Sequence, residues 1–256
     1  RGLPALQAAI AQSLPCSRQR GEHLALILGD ILFSKAVEQF SSDSLPGGLL
    51  PEFLKLVRET GAGEAEELVD MDRPLEQVTE KKILETYYFK TTRYTFEAPL
   101  QMGALCAGRS PEKSRALARL ARPLGLAFQI ENDLHEVREN QASLESVALD
   151  LKGGVKTLVL KRFYDQATGK ERQLMNILAQ ASTISTESLE DLLQAIRKSS
   201  IISVLEQETQ ALFEQASDLT KQSDFVPQES QNLQILIHFL RGLSYHSEAG
   251  LASGPK

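Results

Sequence analysis

The stretch whose reading decides this chain is Gly125–Val137, GLAFQIENDLHEV. At about 100° per residue, Gln129, Asn132, Asp133 and Glu136 share one helix face. Leu126, Ala127, Ile130 and Leu134 are apolar and can meet a neighbouring helix. A polar, carboxylate-bearing stripe therefore runs beside a packed one. Asp133 and Glu136 stand at i,i+3, and Asn132 and Glu136 at i,i+4, the spacings that bring helical side chains together. Hard oxygen donors so placed can hold a Mg²⁺ that keeps its waters and takes further ligands from substrate phosphates. The same spacing also describes an ordinary solvated amphipathic face.

Outward from this stretch the pattern stays helical. Strands need alternating β-branched and aromatic runs between tight turns, and none longer than a few residues occurs. Helical periodicity predicts helices over about 21–42, 51–70, 74–107, 111–140, 155–166, 169–182, 186–199, 200–223 and 228–246. Ser110 is the expected N-cap of the long helix, with Pro111 at its first position and Gly108 ending the helix before it. Thr183–Leu189 holds another cap. Pro99 and Pro123 fall inside helical patterns and should kink them. Residues 141–154 are mixed in polarity and end in two glycines, which reads as a loop. The expectation is one all-α domain over 1–246, followed by a frayed tail over 247–256.

Composition narrows the function. The 256 residues are 42% hydrophobic and 24% charged, an ordinary globular balance. Asp and Glu (34) exceed Lys and Arg (28), and the net charge of −6 disfavours a nucleic-acid partner. Two cysteines exclude a disulfide scaffold and a four-cysteine zinc site, and they suit a reducing cytoplasm. Cys106 lies in an apolar run and reads as a core residue. The longest apolar stretch, Leu24–Phe33, is about half of what a membrane span needs, and Asp30 interrupts it. That aspartate should be paired in the core or line a cavity. No Walker loop, dinucleotide fingerprint or G-x-S-x-G motif is present, and the four histidines lack metal-ligand spacing.

Two further segments carry polar groups of interest. In KTTRYTFEAPLQ (90–101), Lys90 and Tyr94 are i,i+4 and Thr91 adjoins Lys90, a pairing that suits a diphosphate oxygen but is also common on helix surfaces. In DLKGGVKTLVL (150–160), Gly153 and Gly154 allow a close backbone approach, and Lys156 opens the next helix, where anions are favoured. A plain loop fits this segment equally.

Taken together, these segments resemble the trans-isoprenyl diphosphate synthases, or polyprenyl synthetases. ILGDILFSKA (27–36) looks like that family's glycine-aspartate helix, and GEAEELVDM (63–71) like the helix after it. KTTRYTFEAPLQMGALCAG (90–108) is similar to its lysine-threonine motif. GLAFQIENDLHEV is similar to its FQ element and second aspartate-rich motif, and DLKGGVKTLVL to its glycine-lysine loop. The resemblance implies an isoprenoid-synthase-type helical bundle around a central cavity. It implies a Mg²⁺-dependent condensation of isopentenyl diphosphate with an allylic diphosphate, giving a farnesyl, geranylgeranyl or longer product. It also implies a cytoplasmic homodimer.

By the same resemblance, Lys90, Thr91 and Gln129 are the catalytic candidates, and Lys90, Gln129, Lys156 and Arg1 contact substrate diphosphate. Tyr94 and Phe128 line the cavity, and Asn132, Asp133 and Glu136 take the metal-ligand positions. Arg1 and Gly2 look like the end of an RRG element that the first aspartate-rich motif precedes.

The departures are specific. The second motif reads N-D-x-x-E instead of D-D-x-x-D, and Asn132 offers a carbonyl where a carboxylate is usual. Val155 follows Gly154 where a lysine is expected, with Lys156 one residue later. Extra residues, LPCSRQRG, stand over 14–21. No D-D-x-x-D occurs in the chain, so the prenyl-synthase domain is expected to be N-terminally incomplete and not fully active alone. Two other functions compete: a non-catalytic subunit of a heteromeric prenyl synthase, and a class-I terpene cyclase.

Overall fold

A computed structural model describes residues 4–14, 16–138, 141–180, 185–222 and 225–245. Arg1, Gly2 and the 247–256 tail lie outside them. Every regular element among the described residues is helical. No described helix is long and apolar enough to cross a membrane. The chain divides into two compact units, residues 1–54 and 55–256.

In the first unit, α1 (Leu6–Ser13) packs on α2 (Arg18–Phe40). A Cβ built on Gly21 would lie 2.6 Å from the Gln7 carbonyl, so the crossing requires a residue without a side chain. Ser17 caps α2 by accepting from the Arg20 N–H at 3.3 Å. The Phe40 and Phe53 rings stack at 4.2 Å. The apolar run of α2 is largely exposed within this unit, and Asp30 is exposed with it rather than paired in a core.

In the second unit the long helix α6 (Pro111–Val137) is the axis. α3 (Leu49–Met71) continues into this unit, and a 3₁₀ turn at Leu75–Gln77 leads to α4 (Glu80–Tyr87). A π-helical stretch, Tyr88–Glu97, joins α4 to α5 (Ala98–Cys106). After α6 come α7 (Gln141–Gly153), α8 (Leu158–Gln166), α9 (Gly169–Gln180), α10 (Thr186–Lys198), α11 (Ile201–Gln222) and α12 (Pro227–Tyr245). α6 packs on the π stretch, α11 and α5, and also touches α7, α8, α10 and α12. Its C-terminal half sends Ile130, Leu134 and Val137 into one core with Leu158, Leu192, Ile196 and Leu205. Its N-terminal half sends Leu120, Ala121, Leu124 and Ala127 into another with Phe96, Phe213 and Ala216. Burying such side chains contributes about 1.5–3 kcal/mol each, so α6 is anchored along both halves.

The expected caps are found. Ser110 accepts from the Lys113 N–H at 3.3 Å with Pro111 behind it, and Ser185 accepts from the Ser188 N–H at 3.1 Å. α5 ends in a Schellman turn: Gly108 at φ 61° bonds back to Leu105, and Arg109 to Ala104.

Four expectations are corrected. Residues 141–153 form α7 instead of a loop, because Leu144, Val147, Ala148 and Leu151 repeat at helical spacing and pack into the first core. The helix expected from residue 74 begins at Glu80, where Thr79 caps it. Residues 6–13, where periodicity predicts no helix, are α1. Cys106 is exposed, on the solvent side of the last turn of α5. Pro123 is carried inside α6 without ending it.

Candidate functional site

The site is built where the π stretch crosses α6. A π-helix bonds i to i+5, and such widened turns recur at functional positions. Here the Ala98 N–H donates to the Arg93 carbonyl, and Pro99, the next residue, has no N–H to offer. The widened stretch carries Lys90 and Thr91. Opposite it, Gly125 lets α6 come very close: a Cβ there would lie 2.6 Å from Thr92 Oγ1 and 2.8 Å from Thr92 Cα. One glycine therefore sets the distance between the two site-bearing segments.

A continuous chain of hydrogen bonds runs across this crossing. The Thr91 hydroxyl donates to Gln129 Oε1 at 2.7 Å, and Gln129 Nε2 donates to Asp133 Oδ1 at 2.9 Å. The Tyr87 hydroxyl donates to Asp133 Oδ2. The Leu158 N–H, at the start of α8, donates to Tyr87 at 2.7 Å and lies 3.4 Å from Asp133 Oδ2. The positive end of α8 thus faces a buried carboxylate, which helix dipoles favour. Burial pushes the Asp133 carboxyl up to about 7, against the hydrogen bonds from Tyr87, Gln129 and Leu158. Burial first, then the nearby Asp133 charge, pushes the Tyr87 phenol well up.

Lys90 stands beside this chain. Its Nζ lies 2.6 Å from Glu67 Oε2 on α3. Burial opposes its charge, but the Glu67 hydrogen bond and the charges of Glu67, Glu64 and Asp150 hold its ammonium above its ordinary range. Glu136, one turn beyond Asp133, stands close enough to Asp150 of α7 for the two carboxyls to interact. Burial, and then the Asp150 charge, push the Glu136 carboxyl up to about 8, and burial pushes Asp150 up as well. Two carboxylates held together against their repulsion are a donor pair that a cation would relieve. Among the described residues no three metal-binding side chains are gathered into a complete site. Mg²⁺ ordinarily takes only one or two carboxylates beside waters and substrate phosphates, so the pair Glu136 and Asp150 fits it by donor type.

The glycine-rich turn is held against α3. Gly154, at φ 70°, ends α7 in a second Schellman turn, and a Cβ there would lie 2.2 Å from the Met71 carbonyl oxygen. The expected close approach is therefore to α3 backbone. Lys156 donates to the carbonyls of Met71 (3.1 Å) and Gly154, and burial lowers its ammonium below its ordinary range. Behind the turn lies a hollow of about 320 Å³ lined in part by Met71, Leu151, Lys156, Leu160, Tyr164 and Met175.

The structure brings Lys90, Thr91, Gln129, Asp133 and Glu136 into one neighbourhood and distributes the other candidates. Asn132 is exposed, while both oxygens of Asp133 are turned inward to protein donors, so the three motif positions do not face one point. Tyr94 is 47% exposed, and Phe128 packs edge-on against Phe96 at 5.4 Å, so neither lines the hollow. Arg1 lies outside the described residues. Glu67, Tyr87 and Asp150 had no assigned role in the sequence. Asp150 opens the glycine-lysine segment and Glu67 lies in GEAEELVDM, so both belong to segments that carry the family resemblance. Tyr87 carried no signal, because its partner stands 46 residues away.

The fold and the site define a class. Residues 6–196 match the Polyprenyl synthetase family, and the chain belongs to it. It is 34% identical over 163 residues to the short chain isoprenyl diphosphate synthase of Methanothermobacter thermautotrophicus, covering 62% of this chain and 49% of the relative. It is 29% identical over 157 residues to the octaprenyl diphosphate synthase of Escherichia coli, covering 60% and 47%. The chain thus spans about half the length of these curated relatives. Its fold is that of the geranylgeranyl pyrophosphate synthase from Corynebacterium glutamicum, solved with isoprenyl diphosphate and magnesium (TM-score 0.79, 20% identity, 94% of this chain and 70% of that one). The corresponding enzyme from Pyrococcus horikoshii gives a TM-score of 0.75 at 24% identity, over 94% and 70%.

Proposed function

We propose that this chain carries the allylic-diphosphate side of a prenyltransferase, which joins isopentenyl diphosphate to an allylic diphosphate with a trans double bond. One observation carries the reading: Thr91, Gln129 and Asp133 form an unbroken hydrogen-bond chain between two helices, with Lys90 alongside and Glu136 one turn on. Lys90 binds a diphosphate oxygen, and Gln129 holds the Thr91 hydroxyl in place until a diphosphate oxygen takes over its single proton. Glu136 and Asp150 would hold Mg²⁺, which when bound would supply positive charge to a departing diphosphate. Lys156, once drawn from its carbonyls, adds a further cation. The reading includes a homodimer and a cytoplasmic location, both carried over from the family.

The test is incubation of the full-length protein with isopentenyl diphosphate, a series of allylic diphosphates and Mg²⁺. Product chains are expected, and no chain growth with any primer overturns the reading. Lys156 turned onto two carbonyls and Asn132 in place of a carboxylate favour a second reading, a non-catalytic subunit. Chain growth that needs an added catalytic partner supports that one.

A further inference from the structure

Tyr87 is buried, and its hydroxyl is the meeting point of three helices. It ends α4, donates to Asp133 on α6 and accepts the Leu158 N–H that opens α8. A phenol can donate once and accept, and both capacities are used here. Because Tyr87 takes Asp133 Oδ2, the other oxygen is left for Gln129 Nε2. That fixes the carboxamide with its oxygen towards the Thr91 hydroxyl, next to Lys90. Phenylalanine would fill the same space among Ile83, Ile130 and Leu158 but would leave Asp133 Oδ2 with only the longer Leu158 N–H contact at 3.4 Å.

We propose that Tyr87 is a positioning residue: by clamping Asp133 between α4 and the start of α8, it sets the orientation of Gln129 and so of Thr91 at the diphosphate subsite. The inference rests on the reading of that subsite given above. Tyr87 touches no substrate and acts through its partners. Asp133, on this account, is an internal anchor, and the carboxylate of α6 left for a cation is that of the half-buried Glu136.

The experiment uses the full-length protein and inorganic pyrophosphate with Mg²⁺ as the probe, followed by calorimetry at a temperature where circular dichroism shows each variant folded. Tyr87→Phe is expected to weaken pyrophosphate binding about three- to tenfold and to shift the Leu158 amide and Gln129 side-chain amide resonances. Asp133→Asn should weaken binding by a similar factor, since its amide nitrogen forces Gln129 to turn over. The double variant should be no worse than either single one, because both break one chain. Should Tyr87→Phe prove too unstable, the double variant removes the buried charge and supplies the folded form, with binding still weakened. Unchanged binding and unchanged Gln129 resonances in Tyr87→Phe overturn the proposal while leaving the subsite standing. If the wild type binds no pyrophosphate in the presence of Mg²⁺, the subsite reading and this inference fall together. Additive losses in the double variant also overturn it.

Discussion

Lys90 Nζ lies 2.6 Å from Glu67 Oε2, so the cation best placed for a diphosphate is already held by a carboxylate on α3. On the proposed reading, a diphosphate competes with Glu67 for Lys90.

Lys90→Gln keeps a hydrogen bond to Glu67 but removes the charge. A charge-assisted contact is worth about 1.5–3 kcal/mol, so pyrophosphate affinity should fall roughly ten- to hundredfold. Thermal unfolding should move little, since the lysine is half exposed. Titration calorimetry with pyrophosphate and Mg²⁺ checks this, and unchanged affinity would remove Lys90 from the site.

Gly125→Ala should destabilise the fold by about 1–3 kcal/mol through overpacking. The new Cβ meets Thr92 Cα at 2.8 Å as well as Thr92 Oγ1, so trimming Thr92 to alanine should not restore stability. Urea denaturation of the single and double variants is the measurement. Full rescue by Thr92→Ala would show that only the side chain sets the spacing.

Glu136 gives the fold a pH dependence with a definite sign. Burial and Asp150 raise its carboxyl to about 8 in the folded protein, with Asp133 adding to the effect, while Lys90 favours the charge on the partner Asp150. The native state therefore binds more protons than the unfolded one between the ordinary carboxylate range and about pH 8. Its contribution is present at low pH and is lost as pH rises through the folded value. Glu136→Gln should flatten that decline and raise the melting temperature at pH 8 relative to wild type. Mg²⁺ should raise the wild-type melting temperature at pH 8 more than that of the variant, by mass action on the carboxylate pair. Melting curves from pH 5 to 8.5, with and without Mg²⁺, decide it.

Arg197 caps the end of α6, donating to the carbonyls of Val137 (2.8 Å) and Arg138 (3.1 Å). Removing it in Arg197→Ala should cost about 1.5 kcal/mol and speed amide exchange over the last turn of α6, which bears Glu136. Exchange rates equal to wild type in that turn would show that the cap does not hold it.

Much of this architecture could be read in advance, and for local reasons. Ser110, Pro111 and Gly108 act on backbone groups within a turn of themselves, so the start of α6 and the end of α5 were visible in the residues. Periodicity placed Gln129, Asp133 and Glu136 along α6, but it did not show that Asn132 faces solvent while Asp133 is buried. The missed helix over 141–153 shows the limit, because its polar residues hid an apolar spacing that only a core on one side reveals.

The sequence by itself determined the helical class, the family and the residue types gathered at the candidate site, because periodicity, caps and motifs depend on neighbours within a few positions. Only the tertiary structure decided what each polar group is spent on. Lys90 meets Glu67, Asp133 meets Tyr87, Glu136 meets Asp150 and Lys156 meets Met71, all through contacts between separate helices. Burial and proximity set a side chain's charge and direction, and a linear pattern contains neither.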